Sequence, residues 1–284
     1  MTASGFEAHK TLFCRTFIDT HREFEPSELA WPTLDSVTID RLRSIPFWSA
    51  AVRAERNAGI MVSGFAETLS DPLIREAMAV QGREESRHAR LLQEMLRRYA
   101  IPFEAPPEDR ISITKRAILD FAYEECIDSF FGFGIFALAR RVKLFIPELT
   151  DLFDVVLQEE ARHITFFINW IAYERALQGR GAMALQAFAT AYGYVRAVRR
   201  IVATFSPTAR GPKMQAVGFG AEGAFSMFKG VTWREFLHSC LEENDKHLGH
   251  VHPALLRPRV LPAISRMLLG LPSFGRRQSA VSTS

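Results

Sequence analysis

Residues 84–88 read Glu-Glu-Ser-Arg-His, and residues 159–163 read Glu-Glu-Ala-Arg-His. Each pentapeptide sits well inside a stretch without proline, the first between Pro72 and Pro102, the second between Pro147 and Gly179. Residues three apart on a helix share a face, with Cβ atoms about 5–6 Å apart. Glu85 can therefore converge with His88 on one point, and Glu160 with His163. Helical spacing places His163 on a stripe with Val156, Phe167 and Trp170, and His88 on a stripe with Gln81, Leu92 and Met95. Carboxylates on such core-facing stripes are costly to bury without a compensating charge. A metal centre would supply it.

Working outward, the punctuation predicts four long helices. The first starts near Pro46 and runs to about Leu69. Ser70-Asp71-Pro72 is a stop and a restart, with a capping side chain and proline at a first helical position. The second helix ends near Ala100, the third covers about Ser112 to Lys143, and the fourth runs from Pro147 to about Gln178. Gly179-Arg180-Gly181 closes it. Two helical hairpins of this length form a four-helix bundle. Residues 1–43 read as an N-terminal arm, 44–180 as the bundle and 181–270 as additional helices packed on it. Within the last region, helices are expected at about 182–204, from a Thr232 cap to Leu248, and near 258–269. The glycine-rich stretch 214–230 has no clear pattern. The polar tail 271–284 reads as disordered.

A dinuclear centre in such a bundle draws one more glutamate from each of the other two helices. On the first helix Glu55 fits. It lies as far before Ser70 as Glu85 lies after it, so an antiparallel hairpin brings both to one level, roughly 22 Å from the turn at about 1.5 Å per residue. Glu67 is too near the turn. On the third helix the choice is Glu124 or Glu125. Glu124 continues a polar stripe of Arg116, Asp120 and Asp128 that reads as solvated. Glu125 shares its face with Ile118, Phe121, Ala122, Gly132 and Phe136, and is preferred. Four ionised carboxylates balance two divalent ions. Oxygen-rich ligation with one imidazole per ion suits iron, or manganese, better than zinc.

The pattern Glu … Glu-x-x-His … Glu … Glu-x-x-His resembles the ferritin-like di-iron carboxylate superfamily, over about residues 45–178. The resemblance implies an all-α, ferritin-like four-helix bundle with additional C-terminal helices. It implies Glu55, Glu85, His88, Glu125, Glu160 and His163 as ligands of two iron ions, with Glu85 and Glu160 as the candidates to bridge them. Dioxygen is the implied co-substrate.

Other residues have blander readings. Glu84 and Glu159 are expected at the surface. Arg87 and Arg162 either orient carboxylates or pair with neighbouring acids in solvent. Glu243, His247, His250 and His252 have ligand-like spacing, but read first as a polar helix end. Tyr123 and Tyr173 read as structural, Cys126 as a packing residue, and Phe130, Phe131, Phe133 and Phe136 as core that could also line an apolar channel.

Composition narrows the function. The 284 residues are 48% hydrophobic and 24% charged, ample for a large core. A net charge of +3 is too small for a general nucleic-acid footprint. Three scattered cysteines, Cys14, Cys126 and Cys240, fit a reducing compartment. With no secretory core and no long apolar run, a cytoplasmic location without a membrane partner is expected. The long extension after the fourth helix favours an oxygenase or oxidase that hydroxylates or N-oxygenates a small organic substrate. Its electron donor would be a protein such as a ferredoxin or flavin reductase, and a homodimer is compatible with this reading. The alternative is a ferritin- or rubrerythrin-like iron-handling or peroxide-detoxifying protein without an organic substrate.

Overall fold

A computed structural model describes residues 3–45, 47–104, 110–179, 183–205 and 230–271. Among them all regular structure is helical. The order is α1 (Ala3–Asp19), α2 (Ser36–Arg43), α3 (Trp48–Glu67), α4 (Pro72–Arg98), α5 (Lys115–Arg141), α6 (Pro147–Leu177), α7 (Met183–Phe205), α8 (Trp233–Gly249) and α9 (Val260–Leu269), with one 3-10 turn at Pro26–Glu28. The expected tail, apart from Leu271, and the glycine-rich stretch up to residue 229 lie outside the described residues.

The helix ends follow local chemistry. Asp71 accepts hydrogen bonds from Leu73 N and Ile74 N at 3.0 and 3.1 Å, and Pro72 fills the first position of α4. Helix α5 begins three residues later than Ser112, because Thr114 Oγ1 caps it through Ala117 N at 3.1 Å. Thr232 and Glu235 form a reciprocal capping box at the start of α8. Caps of this kind are each worth about 1 kcal/mol.

Helices α3 and α4 make the first hairpin, along a seam of small residues. An added Cβ at Gly59 would stand 2.3 Å from Ser86 Oγ, and one at Gly82 would stand 2.7 Å from Ser63 N. Backbone approaches backbone here in a way that only glycine permits. Helices α5 and α6 form the second hairpin. Helix α1 lies against α4 and α6, tied by Lys10 to Asp71 at 2.7 Å and by Tyr173, whose hydroxyl donates to Glu7 at 3.0 Å.

Two apolar layers fill the interior. One holds Val62, Phe65, Met78, Val80, Phe166 and Trp170; the other holds Val52, Leu91, Met95, Leu149 and Phe153. Along α3 and α4 the polar residues Glu55, Glu84, Glu85 and His88 fall between them. The C-terminal helices pack outside, with α7 and α8 both on α5 and α9 on α8. Gly134 of α5 admits Cys240 of α8, whose Sγ would lie 2.2 Å from an added Cβ. Cys14, Cys126 and Cys240 are free thiols, all buried. Among the described residues no helix is long and apolar enough to cross a membrane.

Candidate metal centre

The two pentapeptides face each other across antiparallel α4 and α6, and each serves the other. His88 Nε2 donates to Glu159 Oε2 at 2.8 Å, and His163 Nε2 donates to Glu84 Oε2 at 2.8 Å. An ionised carboxylate only accepts, so each Nε2 carries the proton. The second oxygen of each outer glutamate is held by an arginine of the opposing pair. Arg87 Nη2 reaches Glu159 Oε1 at 2.5 Å, and Arg162 Nη1 reaches Glu84 Oε1 at 2.8 Å. This corrects the surface reading of Glu84 and Glu159. They are 0% and 2% exposed, and burial is tolerated because each is paired with an imidazole and a guanidinium. It also decides the role of both arginines as carboxylate partners.

The N-terminal arm closes the outside of this array. Arg162 stacks on Phe17 with 4.5 Å between its guanidinium carbon and the ring centroid, and Arg87 on Phe24 at 4.1 Å. Arg162 also donates to Phe17 O at 2.5 Å and to Thr20 Oγ1 at 2.9 Å. His21 Nδ1 lies 2.5 Å from Glu84 Oε1.

With both Nε2 atoms engaged, the Nδ1 atoms of His88 and His163 point inward. Both are buried and without a hydrogen-bond partner. Around them stand the inner glutamates. His88 Nδ1 is 3.1 Å from Glu160 Oε1, 3.5 Å from Glu55 Oε2 and 3.9 Å from Glu85 Oε2. His163 Nδ1 is 3.0 Å from Glu85 Oε1 and 3.7 Å from Glu160 Oε2. Glu85 and Glu160 thus each offer one oxygen to each imidazole, and the ring centroids are 5.6 Å apart. Ligand atoms of Glu55, Glu85, His88 and Glu160 lie within 4.8 Å of one another, close enough to hold a metal ion.

On α5 the two candidates separate. Arg200 of α7 pairs with Glu124. The carboxyl of Glu125 is pushed well above the usual range, first by desolvation and then by the charges of Glu160, Glu85 and Glu55. It therefore lies within electrostatic reach of the cluster. One turn further on, Ser129 Oγ donates to Glu160 Oε2 at 3.3 Å. The polar stripe beside Glu124 is not solvated throughout: Asp120 is 5% exposed beneath α7, gripped by Arg196 at 3.0 and 2.5 Å. Cations on α7 occur at the right spacing to cover it.

The protonation balance fits a site built for cations. Desolvation opposes charge on both histidines, yet the surrounding carboxylates raise their pKa values well above the ordinary range. Desolvation would raise Glu160, but both imidazoles hold it below the carboxylate range; His163 and Arg162 do the same for Glu84. Glu55 is raised to about 7, mainly by desolvation. Protons on the imidazoles thus offset clustered negative charge. Metal ions at the inward Nδ1 atoms would replace those protons, since metal ligands bind deprotonated. The inward Nδ1 of His88 and the carboxylates of Glu55, Glu85 and Glu160 around it fit a metal ion.

Three other sequence candidates lie elsewhere. His247 Nε2 is 3.3 Å from Glu243, and its ring stacks on Phe133 at 4.7 Å, within the α5–α8 packing. Tyr123 accepts from Arg175 at 2.7 Å, and Tyr173 serves Glu7. Sequence reasoning missed the buried role of Glu84 and Glu159, although the signal was present: all of Glu-Glu-x-Arg-His is duplicated, not only Glu-x-x-His. Nothing in the sequence marked Phe17, His21 or Phe24.

No family model, curated protein or solved structure matches the chain.

Proposed function

We propose that this chain is a ferritin-like di-iron protein that uses dioxygen to oxidise a small organic substrate, by hydroxylation or N-oxygenation. The observation that carries the reading is the paired arrangement of Glu85 and Glu160, each with one oxygen toward each inward imidazole nitrogen. Glu85, Glu160, His88, His163, Glu55 and Glu125 would hold the two ions. Bound iron would supply electrons to dioxygen and oxidising power toward the substrate.

The chain's own residues supply the setting. Glu84 and Glu159 fix the ring orientation of the two histidines and raise their basicity as ligands. The arm around Phe17 and Phe24 keeps water from that side. The opposite side, along α5, is more open. Gly132 shares a face with Glu125, and a Cβ built on it would meet nothing within 4 Å. Asp128 is exposed, yet its carboxyl is raised to about 7, by desolvation first and then by Glu124, Glu160 and Glu55. Together these facts fit a carboxylate in a recess beside the centre. Partly buried Phe121 and Phe136 give that side an apolar lining suited to an organic substrate.

The test is oxygen uptake by protein loaded with ferrous iron under anaerobic conditions, with and without panels of arylamines and aliphatic acids. The proposal expects uptake coupled to an oxygenated product, lost in Glu160→Ala. Uptake that yields only mineralised ferric iron in large assemblies would move the assignment to iron handling.

A further inference from the structure

Helix α7 carries an apolar stripe that no described residue covers. Leu185, Phe188, Tyr192, Val195, Val198 and Val202 are between 49% and 75% exposed. Successive members are three, four, three, three and four residues apart, so they share one side of the helix over about 25 Å at 1.5 Å per residue. The opposite face of the helix is committed to α5: Gly193 lies against the Tyr123 ring, Tyr194 is buried on Tyr123, and Arg196 and Arg200 hold Asp120 and Glu124. The stripe is thus held rigidly outward.

We propose that this stripe is the interface with a second copy of the chain, the two α7 helices packing antiparallel about a two-fold axis between Tyr192 and Val195. The order of side-chain sizes selects that partner. Every large residue lies in the first half of the stripe and every valine in the second. An antiparallel copy sets Leu185 level with Val202, Tyr192 with Val195, and Phe188 with Arg199 of the second copy, whose Val198 is the next residue along. Large meets small at the two valine levels, the Phe188 ring can lie against the Arg199 guanidinium at the third, and exposed Ala191 lets the helices approach near the axis. A parallel copy would set Phe188 on itself and Arg199 on itself, which mismatches volume and opposes like charges. A two-fold interface needs a self-complementary patch of this kind. The six residues leave roughly 650 Å² open on one copy, so pairing would remove at most about 1,300 Å² in all, which reaches the lower part of the range of specific interfaces.

Sedimentation velocity of the full chain across the micromolar range tests this. The expected result is a dimer in the wild type and a monomer in Val195→Arg with unchanged far-ultraviolet circular dichroism. A second measurement does not depend on that variant. Chains carrying Leu185→Cys, mixed with chains carrying Val202→Cys and oxidised, should form a disulfide-linked mixed dimer, whereas Leu185→Cys alone should not link. A wild type that stays monomeric, including one that instead binds anionic phospholipid vesicles, overturns the proposal. So does a dimer that survives Val195→Arg, or linkage of Leu185→Cys to itself in place of the mixed pair.

Discussion

Glu84 Oε2 lies 2.8 Å from His163 Nε2, so a residue on α4 fixes the proton on a histidine of α6. Glu159 and His88 repeat the relationship in the opposite direction, at the same distance. Each pentapeptide therefore contributes inner groups to the centre and an outer carboxylate to its counterpart. Removing one outer carboxylate should loosen a histidine without removing it. Glu159→Ala is expected to weaken binding of one ion by about 10–100-fold, as loss of such outer partners does elsewhere. Competition titration with a divalent-metal chelator checks this. Glu159→Gln should recover part of the loss, because its amide oxygen can still accept from Nε2.

The close approach of α3 and α4 predicts sensitivity at a residue that touches no ligand. In Gly82→Ala the new Cβ would meet Ser63 N at 2.7 Å and Ser63 Cα at 3.0 Å, and backbone cannot swing aside. The hairpin must spread, at a cost of about 1–3 kcal/mol for overpacking. Spreading also moves Glu55 away from His88. Urea denaturation of the metal-free protein should show the loss of stability, and metal titration a weaker second ion. Unchanged values in both would mean that the seam is looser than its geometry.

Much of this was legible in the chain. The duplicated Glu-Glu-x-Arg-His, Asp71-Pro72, Pro147 and Thr232 located the long helices to within a few residues, because proline and capping side chains act locally. Periodicity also put Glu55 and Glu125 on inward faces. What one helix cannot reveal is what another will bring to it. Asp120 and Glu124 read as solvated because Arg196 and Arg200 lie about seventy-six residues away in sequence. Glu84 and Glu159 read as surface acids because their partners belong to the other helix. The arm residues Phe17, His21 and Phe24 sit in sequence that has no periodic tie to the centre, and only tertiary packing places them there.

Proton linkage gives a signed prediction for the metal-free protein. Glu55 is raised to about 7, by desolvation first. A carboxyl raised in the fold binds its proton more tightly there than in the unfolded chain. Its contribution to stability is complete below the unfolded value near 4 and is lost as pH rises through about 7. Thermal unfolding in the presence of a chelator should therefore occur at lower temperature at pH 7.5 than at pH 5. Metal affinity should move the other way, rising through about pH 7 as Glu55 gives up its proton and continuing to rise above it as Glu125 and the two imidazoles give up theirs. A metal-free protein more stable at pH 7.5 than at pH 5 would contradict the crowding of carboxylates around the two imidazoles.

The most direct test of the account is anomalous diffraction at the iron edge from crystals of the iron-loaded protein. The expected result is two peaks per chain between α4 and α6, one against His88 Nδ1 and one against His163 Nδ1, with Glu85 and Glu160 reaching both. No peak there, or iron bound instead at the Glu243–His247 pair on α8, would contradict it.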